Sequence, residues 1–224
     1  MNATAGTIEA TPDAGNVSTL LVEPPDARAL YVFGHGAGAG MKNTFMNTMA
    51  AALADAGIAT YRYQFPYAER GQRFPDPRPV LLQTVRAAVA AARQARPDLP
   101  CYAGGKSMGG RMTSLAAAED ALDGVHGIVF FGFPLHPAGK PSTERGDHLH
   151  EVTVPMLFLQ GTRDALAELP LLEPIVTALG ERATLHKIEG ADHGFRVARA
   201  TGRKEADVRE ELSRVVAQWM RDRT

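Results

Sequence analysis

From Val17 to Ile188, short apolar runs of β type alternate with stretches whose apolar residues recur at helical spacing. This alternation constrains the fold more than any single motif. Strands joined through helices lie mostly parallel, and the helices cover both faces of the sheet they form. Strands are predicted at Val17 to Val22, Leu30 to Gly34, Ala59 to Tyr63, Cys101 to Gly105, Ile128 to Phe131, Met156 to Gln160 and Thr184 to Ile188, with an eighth near Thr7 to Ala10. Helices are predicted at Thr44 to Ala56, Pro79 to Arg93, Ser107 to Glu119, Ala167 to Leu179 and Lys204 to Arg221, the last docking through Trp219. No repeat, linker or low-complexity tract interrupts the pattern. A chain of 224 residues suits one α/β domain of about 200–250 residues. The expected organisation is an N-terminal segment over residues 1–15 and a single domain over residues 16–224.

Charge and composition narrow the partners. Lys and Arg number 24 against 25 Asp and Glu, with no run of like charge, which argues against binding driven by a nucleic-acid backbone. The polar stretch Met1 to Gly15 has neither the basic nor the apolar region of a signal peptide, and no apolar run approaches the ~20 residues a membrane span needs. The single cysteine, Cys101, lies in an apolar stretch and is read as a buried structural thiol of a reducing compartment. The expectation is a soluble, cytoplasmic protein that meets a small molecule in a pocket and needs no cofactor.

The densest chemical signal is Gly105-Lys106-Ser107-Met108-Gly109, set between an apolar strand and a helix-forming run. Strand, serine and helix in that order describe a nucleophile held on a sharp turn. Such a serine requires positive φ, and side chains at 105 or 109 would collide with neighbouring backbone, so glycine is needed on both sides. Gly105-Lys106-Ser107 also matches the end of a phosphate-binding loop, but the first glycine of that motif would fall at Pro100.

A nucleophilic serine needs a base, and His193 stands in Gly190-Ala191-Asp192-His193-Gly194-Phe195, just past the last strand. The base needs an acid to orient it. Asp164, in Gly161-Thr162-Arg163-Asp164, follows the strand before, while Asp192 and Asp147 are the competing acids. Each of Ser107, Asp164 and His193 follows a different strand. The loop His35-Gly36-Ala37-Gly38-Ala39-Gly40 follows the strand Leu30 to Gly34, where one backbone donor to a developing oxyanion is expected, from Ala37. The other donor would be the amide of Met108.

Two long irregular stretches, Gln64 to Arg78 and Gly132 to Val152, begin at strand ends and should border the ligand crevice. His35, Tyr67, Lys106 and His136 are the pocket candidates. Lys106 either attracts an anionic substrate or pairs with an acid such as Glu69, and Arg111, one turn into the helix, poses the same question: it meets such a substrate or ties down the Tyr67 to Arg70 loop. Asp147-His148-Leu149-His150 lacks a second cluster at ligand spacing, so no metal site is expected.

Gly104 to Arg111, Gly34 to Met41, Phe65-Pro66-Tyr67, Pro134-Leu135-His136-Pro137, Gly139-Lys140-Pro141, Gln160 to Asp164 and Gly190 to His193 together resemble the small α/β-hydrolases related to dienelactone hydrolase. The resemblance extends to the branch of testis-expressed hydrolase-like proteins and the hydrolase-like domain of a chromatin-complex (NSL) subunit. It implies an α/β-hydrolase fold of seven to eight strands without a large cap, and a Ser-His-Asp triad at Ser107, Asp164 and His193. The implied activity is hydrolysis of an ester-like carbonyl: carboxylic ester, lactone or thioester. Dienelactone hydrolase itself carries cysteine where this chain has Ser107. Its eukaryotic relatives suggest a second reading, a non-catalytic interaction module on the same fold.

Overall fold

The computed structural model describes residues 2–198 and 201–223. Eight strands form one sheet: β1 (Asn2–Thr11), β2 (Gly15–Glu23), β3 (Ala29–Gly34), β4 (Ile58–Tyr63), β5 (Cys101–Lys106), β6 (Val125–Phe131), β7 (Met156–Gly161) and β8 (Ala183–Ile188). Their order across the sheet is β1-β2-β4-β3-β5-β6-β7-β8. The pairs β1/β2 and β2/β4 are antiparallel, and every pair from β4/β3 to β7/β8 is parallel. All seven predicted strands are present. The eighth spans Asn2–Thr11, longer than Thr7 to Ala10, so most of the stretch read as an N-terminal segment is an edge strand of the same sheet. Asn2 to Thr7 are all exposed and small or polar, which hides the strand from a search for apolar runs.

The helices are α1 (Thr44–Asp55), the single turn α2 (Pro66–Glu69), α3 (Arg78–Ala95), α4 (Met108–Glu119), α5 (Leu169–Ala178) and α6 (Glu205–Arg221), with a 3₁₀ helix over Glu144–Glu151. Local chemistry sets their ends. The Asn43 side chain accepts from the Met46 amide at 3.2 Å and caps α1. A proline stands in the first turn of α3, where its missing N–H costs nothing.

Alternation along the strands divides the core. Tyr31, Phe33, Val129, Phe131, Leu157 and Leu159 face α1 and α6, and Trp219 of α6 packs edge-on to Tyr102, ring centroids 5.8 Å apart. Leu30, Val32 and Ala103 turn to the other face, under Leu82, Val85 and Val89 of α3 and Met112 of α4. Phe130, Phe158 and Leu172 fill the space beneath α5. Cys101 is buried in this core, which raises its thiol pKa to about 12, so it is inert.

The strand order positions the site. From β3 the chain crosses outward to β4 and then returns past β3 to β5, so the loops after β3 and β5 diverge at a switch point on the carboxyl edge of the sheet. Between β6 and β7 the only regular element among the described residues is the 3₁₀ helix, so no cap domain covers that edge.

Candidate active site

At the end of β5 the chain turns sharply into α4, and Ser107 occupies the corner with φ 51°. Left-handed backbone is costly for a non-glycine residue, and it persists only where the surroundings enforce it. Here a Cβ on Gly105 would lie 2.4 Å from the Gly34 carbonyl oxygen, and one on Gly109 only 2.3 Å from the same atom. The two glycines let α4 press against β3, and the Ser107 amide is fixed by donating to Phe131 O at 3.1 Å. The collision inferred from sequence is therefore met, and its partner is the backbone of β3.

The loops after β7 and β8 meet at the same edge. His193 Nε2 lies 2.9 Å from Ser107 Oγ, and its Nδ1 lies 2.7 Å from Asp164 Oδ2. The Asp164 side chain is buried; Oδ2 also accepts from Gln160 Nε2 at 2.5 Å, and Oδ1 accepts from the Leu166 amide at 2.8 Å. These three contacts fix the orientation of the side chain. With Nδ1–H donating to Asp164, the Nε2 lone pair faces Ser107.

The two rival acids lie elsewhere. Asp192 Oδ1 accepts from the amides of Gly194 and Arg196 at 2.8 and 2.9 Å and so organises the histidine turn. Asp147 lies on the 3₁₀ helix, in a groove lined by Pro170 and Ile175 of α5.

Gln160 is a neighbour of Asp164 that sequence reasoning missed. Its amide group donates to Asp164, and its oxygen accepts from the Phe133 amide at 2.9 Å. The available signal was a glutamine ending an otherwise apolar strand, since a buried polar side chain must have partners.

The glycine loop after β3 approaches Ser107 closely: a Cβ on Gly36 would sit 3.8 Å from Ser107 Cβ. The amides of Ala37 and Met108 have no hydrogen-bond acceptor among the described residues. His35 is fully buried behind this loop. Its Nδ1 is 2.9 Å from Gly36 O and its Nε2 accepts from the Phe65 amide at 3.1 Å, while burial lowers its pKa to about 4. It is a neutral strut of the loop rather than a group that meets ligand.

Other pocket candidates are displaced in the same way. Tyr67 is buried with Phe65 around His35, and His136 is buried with Nδ1 3.0 Å from Pro137 O. Aromatic residues after β4 are therefore loop packing, because the loop turns inward and needs its own small core.

Lys106 does not pair with Glu69, which accepts instead from the Ser18 amide and hydroxyl at 2.9 and 2.8 Å. The lysine turns the other way. Its Nζ donates to His193 O at 2.7 Å and lies 5.8 and 5.4 Å from the ring centroids of Phe45 and Phe195, which stack on each other. Burial lowers its pKa to about 8 against the opposing pull of Asp164 and Asp192. Lys106 thus ties the end of β5 to the loop carrying His193. Arg111 likewise makes no bond to the Tyr67 to Arg70 loop, where Arg70 pairs with Asp76.

A parallel sheet with a strained serine corner at the end of β5, and with acid and imidazole delivered by the next loops along the edge, defines the α/β-hydrolase class. A family model described as an alpha/beta hydrolase domain matches residues 27–221, and the chain belongs to that family. Among solved structures, a lidless α/β serine hydrolase from Xanthomonas campestris is similar with a TM-score of 0.75 at 23% identity, over 98% of this chain and 95% of its own. A dienelactone hydrolase from Anabaena variabilis gives a TM-score of 0.77 at 21% identity over 99% and 98% of the two chains. An α/β serine hydrolase homologue from Coxiella burnetii gives 0.76 at 20% identity over 96% and 97%. At these identities the likeness is one of fold. No helix among the described residues is long and apolar enough to cross a membrane.

Proposed function

We propose that the protein is a serine hydrolase acting on an ester-like carbonyl of a small molecule through a covalent acyl-enzyme. The observation that carries this reading is the continuous chain from Ser107 Oγ through His193 Nε2 and Nδ1 to Asp164 Oδ2, at 2.9 and 2.7 Å. His193 Nε2 takes the hydroxyl proton as Ser107 Oγ attacks the carbonyl carbon. The amides of Ala37 and Met108 hold the resulting oxyanion, a service worth about 10²–10³ in rate for each donor of this kind. The imidazolium, stabilised by Asp164, then gives its proton to the leaving oxygen or sulfur, and the acyl group stays on Ser107. Water enters, loses a proton to His193 and attacks the acyl carbon. Collapse returns the proton to Ser107 and releases the acid.

Several solved structures of this fold are described as serine hydrolases or esterases, which supports the same chemistry here. Treatment with a fluorophosphonate probe tests it. Ser107 is expected to be labelled in the folded protein and the Ser107→Ala variant is not. Failure of Ser107 to label overturns the hydrolase reading and leaves a non-catalytic interaction module.

A further inference from the structure

Arg78 and Arg145, one from each long loop region, lie close enough to Arg111 for their charges to act on it, and none of the three is paired with a carboxylate among the described residues. Arg111 lies four residues past Ser107 on α4, and helical side chains lean toward the helix N-terminus. Its guanidinium is thus carried back toward the nucleophile, which lies about one 5.4 Å turn away. The side chain is partly buried, and its Nε is fully buried without a hydrogen-bond partner. Arg78 opens α3 at the end of the first long loop, and Arg145 lies on the 3₁₀ helix of the second. Among the described residues none of the three forms an ion pair.

The arrangement is built rather than incidental. Ser114 Oγ and His148 Nε2, 2.8 Å apart, seat the 3₁₀ helix on α4. Residues three apart share a side of a 3₁₀ helix, so Arg145 lies on the same side as His148, toward α4. Asp147 and His150 line the opposite groove against α5, and Glu151 pairs with His150. Asp76, the acid nearest Arg78 in sequence, accepts from the Tyr67 amide at 2.6 Å and from Arg70 at 2.5 Å. Neither α3 nor α4 has an acid in its first turn, and of the two in the first turn of the 3₁₀ helix, Asp147 lines the opposite groove while Glu144 forms no ion pair with Arg145. Burial, and then Arg145 and Arg78, lower the pKa of Arg111 to about 10; burial, and then Arg111 and Arg78, lower that of His148 to about 4. The histidine is neutral near pH 7 and adds no charge.

A partly buried guanidinium with an orphaned donor and cationic neighbours is stable in place only at a cost that an anion would remove. We propose that Arg78, Arg111 and Arg145 form an anion subsite next to Ser107, and that the substrates are esters, lactones or thioesters bearing a carboxylate or phosphate group close to the scissile carbonyl. The guanidinium fork suits both oxyanions. This specificity rests on the serine-hydrolase reading, whereas the anion site itself does not.

Two measurements separate them. First, kcat/KM is compared for 4-nitrophenyl acetate and 4-nitrophenyl hemisuccinate, a neutral and a carboxylate-bearing ester. Wild type is expected to favour the anionic ester by about ten- to a hundredfold. The ratio should collapse in Arg111→Met, mainly through KM, recover in part in Arg111→Lys, and fall with added salt. Arg145→Met, on the outer 3₁₀ helix, gives the same readout if Arg111→Met does not fold. An equal ratio in wild type and variants overturns the proposal. Second, succinate and inorganic phosphate are titrated calorimetrically into Ser107→Ala, with and without Arg111→Met. Binding lost with Arg111 supports the subsite even if neither ester is turned over, and the tighter anion identifies the group. Absence of binding by both anions overturns it.

Discussion

Replacing Asp164 by asparagine tests the assigned acid in a way the surrounding hydrogen bonds make quantitative. Both carboxylate oxygens receive donors: Oδ2 from His193 Nδ1 and Gln160 Nε2, and Oδ1 from the Leu166 amide. An amide has one oxygen, so each orientation sets a donor against a donor. If the NH₂ faces Leu166, a buried N–H is orphaned and the imidazolium loses its counter-charge. If the NH₂ faces His193, Nδ1 must accept, the proton moves to Nε2, and the ring can no longer take the Ser107 proton. Gln160 could relieve that second orientation only by turning its amide over, which would surrender the bond from Phe133. The expected stability loss is about 1–3 kcal/mol for one unsatisfied buried donor. The expected loss in kcat is about 10⁴, as for an imidazole held in the wrong tautomer, or about 5–6 kcal/mol of barrier. Steady-state hydrolysis of 4-nitrophenyl acetate, with Ser107→Ala as the blank, and thermal unfolding of the same samples give both numbers. A variant within about tenfold of wild type would refute the assignment and move the acid role to Asp192.

Two further outcomes follow from the contacts around the site. Lys106→Met removes the charge-assisted donor to His193 O and should lower kcat by about ten- to a hundredfold. Because Lys106 titrates at about 8 when folded and at 10.5 in a free chain, wild type binds fewer protons folded than unfolded between those values. Its stability relative to Lys106→Met should therefore rise as pH climbs from 8 toward 10.5, and parallel melting curves across that window would disprove it. Gly161→Ala would place a Cβ 2.3 Å from Ala191 O, forcing the acid and base loops apart. Both stability, by about 1–3 kcal/mol, and fluorophosphonate labelling should fall, and unchanged labelling would show that the two loops do not depend on each other.

How much of this was legible in the sequence follows from the range of the forces involved. Strands β3 to β7 are buried and largely apolar, β2 and β8 keep short apolar runs though they are half-buried, and the helices between them carry their core residues at helical spacing, so local composition reveals them. β1 is exposed on both faces over Asn2 to Thr7, and its place depends on its neighbour β2, so only a fragment of it was visible. The relay of Ser107, Asp164 and His193 could be assembled from chain order because each residue stands just past a strand end. What Lys106, Arg111 and His136 touch could not be read that way. The partners of Lys106, His193 O and the rings of Phe45 and Phe195, come from elements far along the chain, and a side chain of that length has several directions open to it. Gln160 was overlooked because its partners, Phe133 and Asp164, meet only when two loops fold back over β7.

The strand order also carries a kinetic meaning. The β1/β2 hairpin closes locally, but the parallel pair β3/β5 joins strands separated by α1, β4, α2 and α3, and pairings of such separation form late because the intervening chain must first be ordered. Ser107 becomes strained, and His193 reaches it, only after β3 meets β5 and β7 meets β8. An activity-based label applied during refolding would therefore time the closure of the sheet's parallel half, while circular dichroism would already report the hairpin and helices.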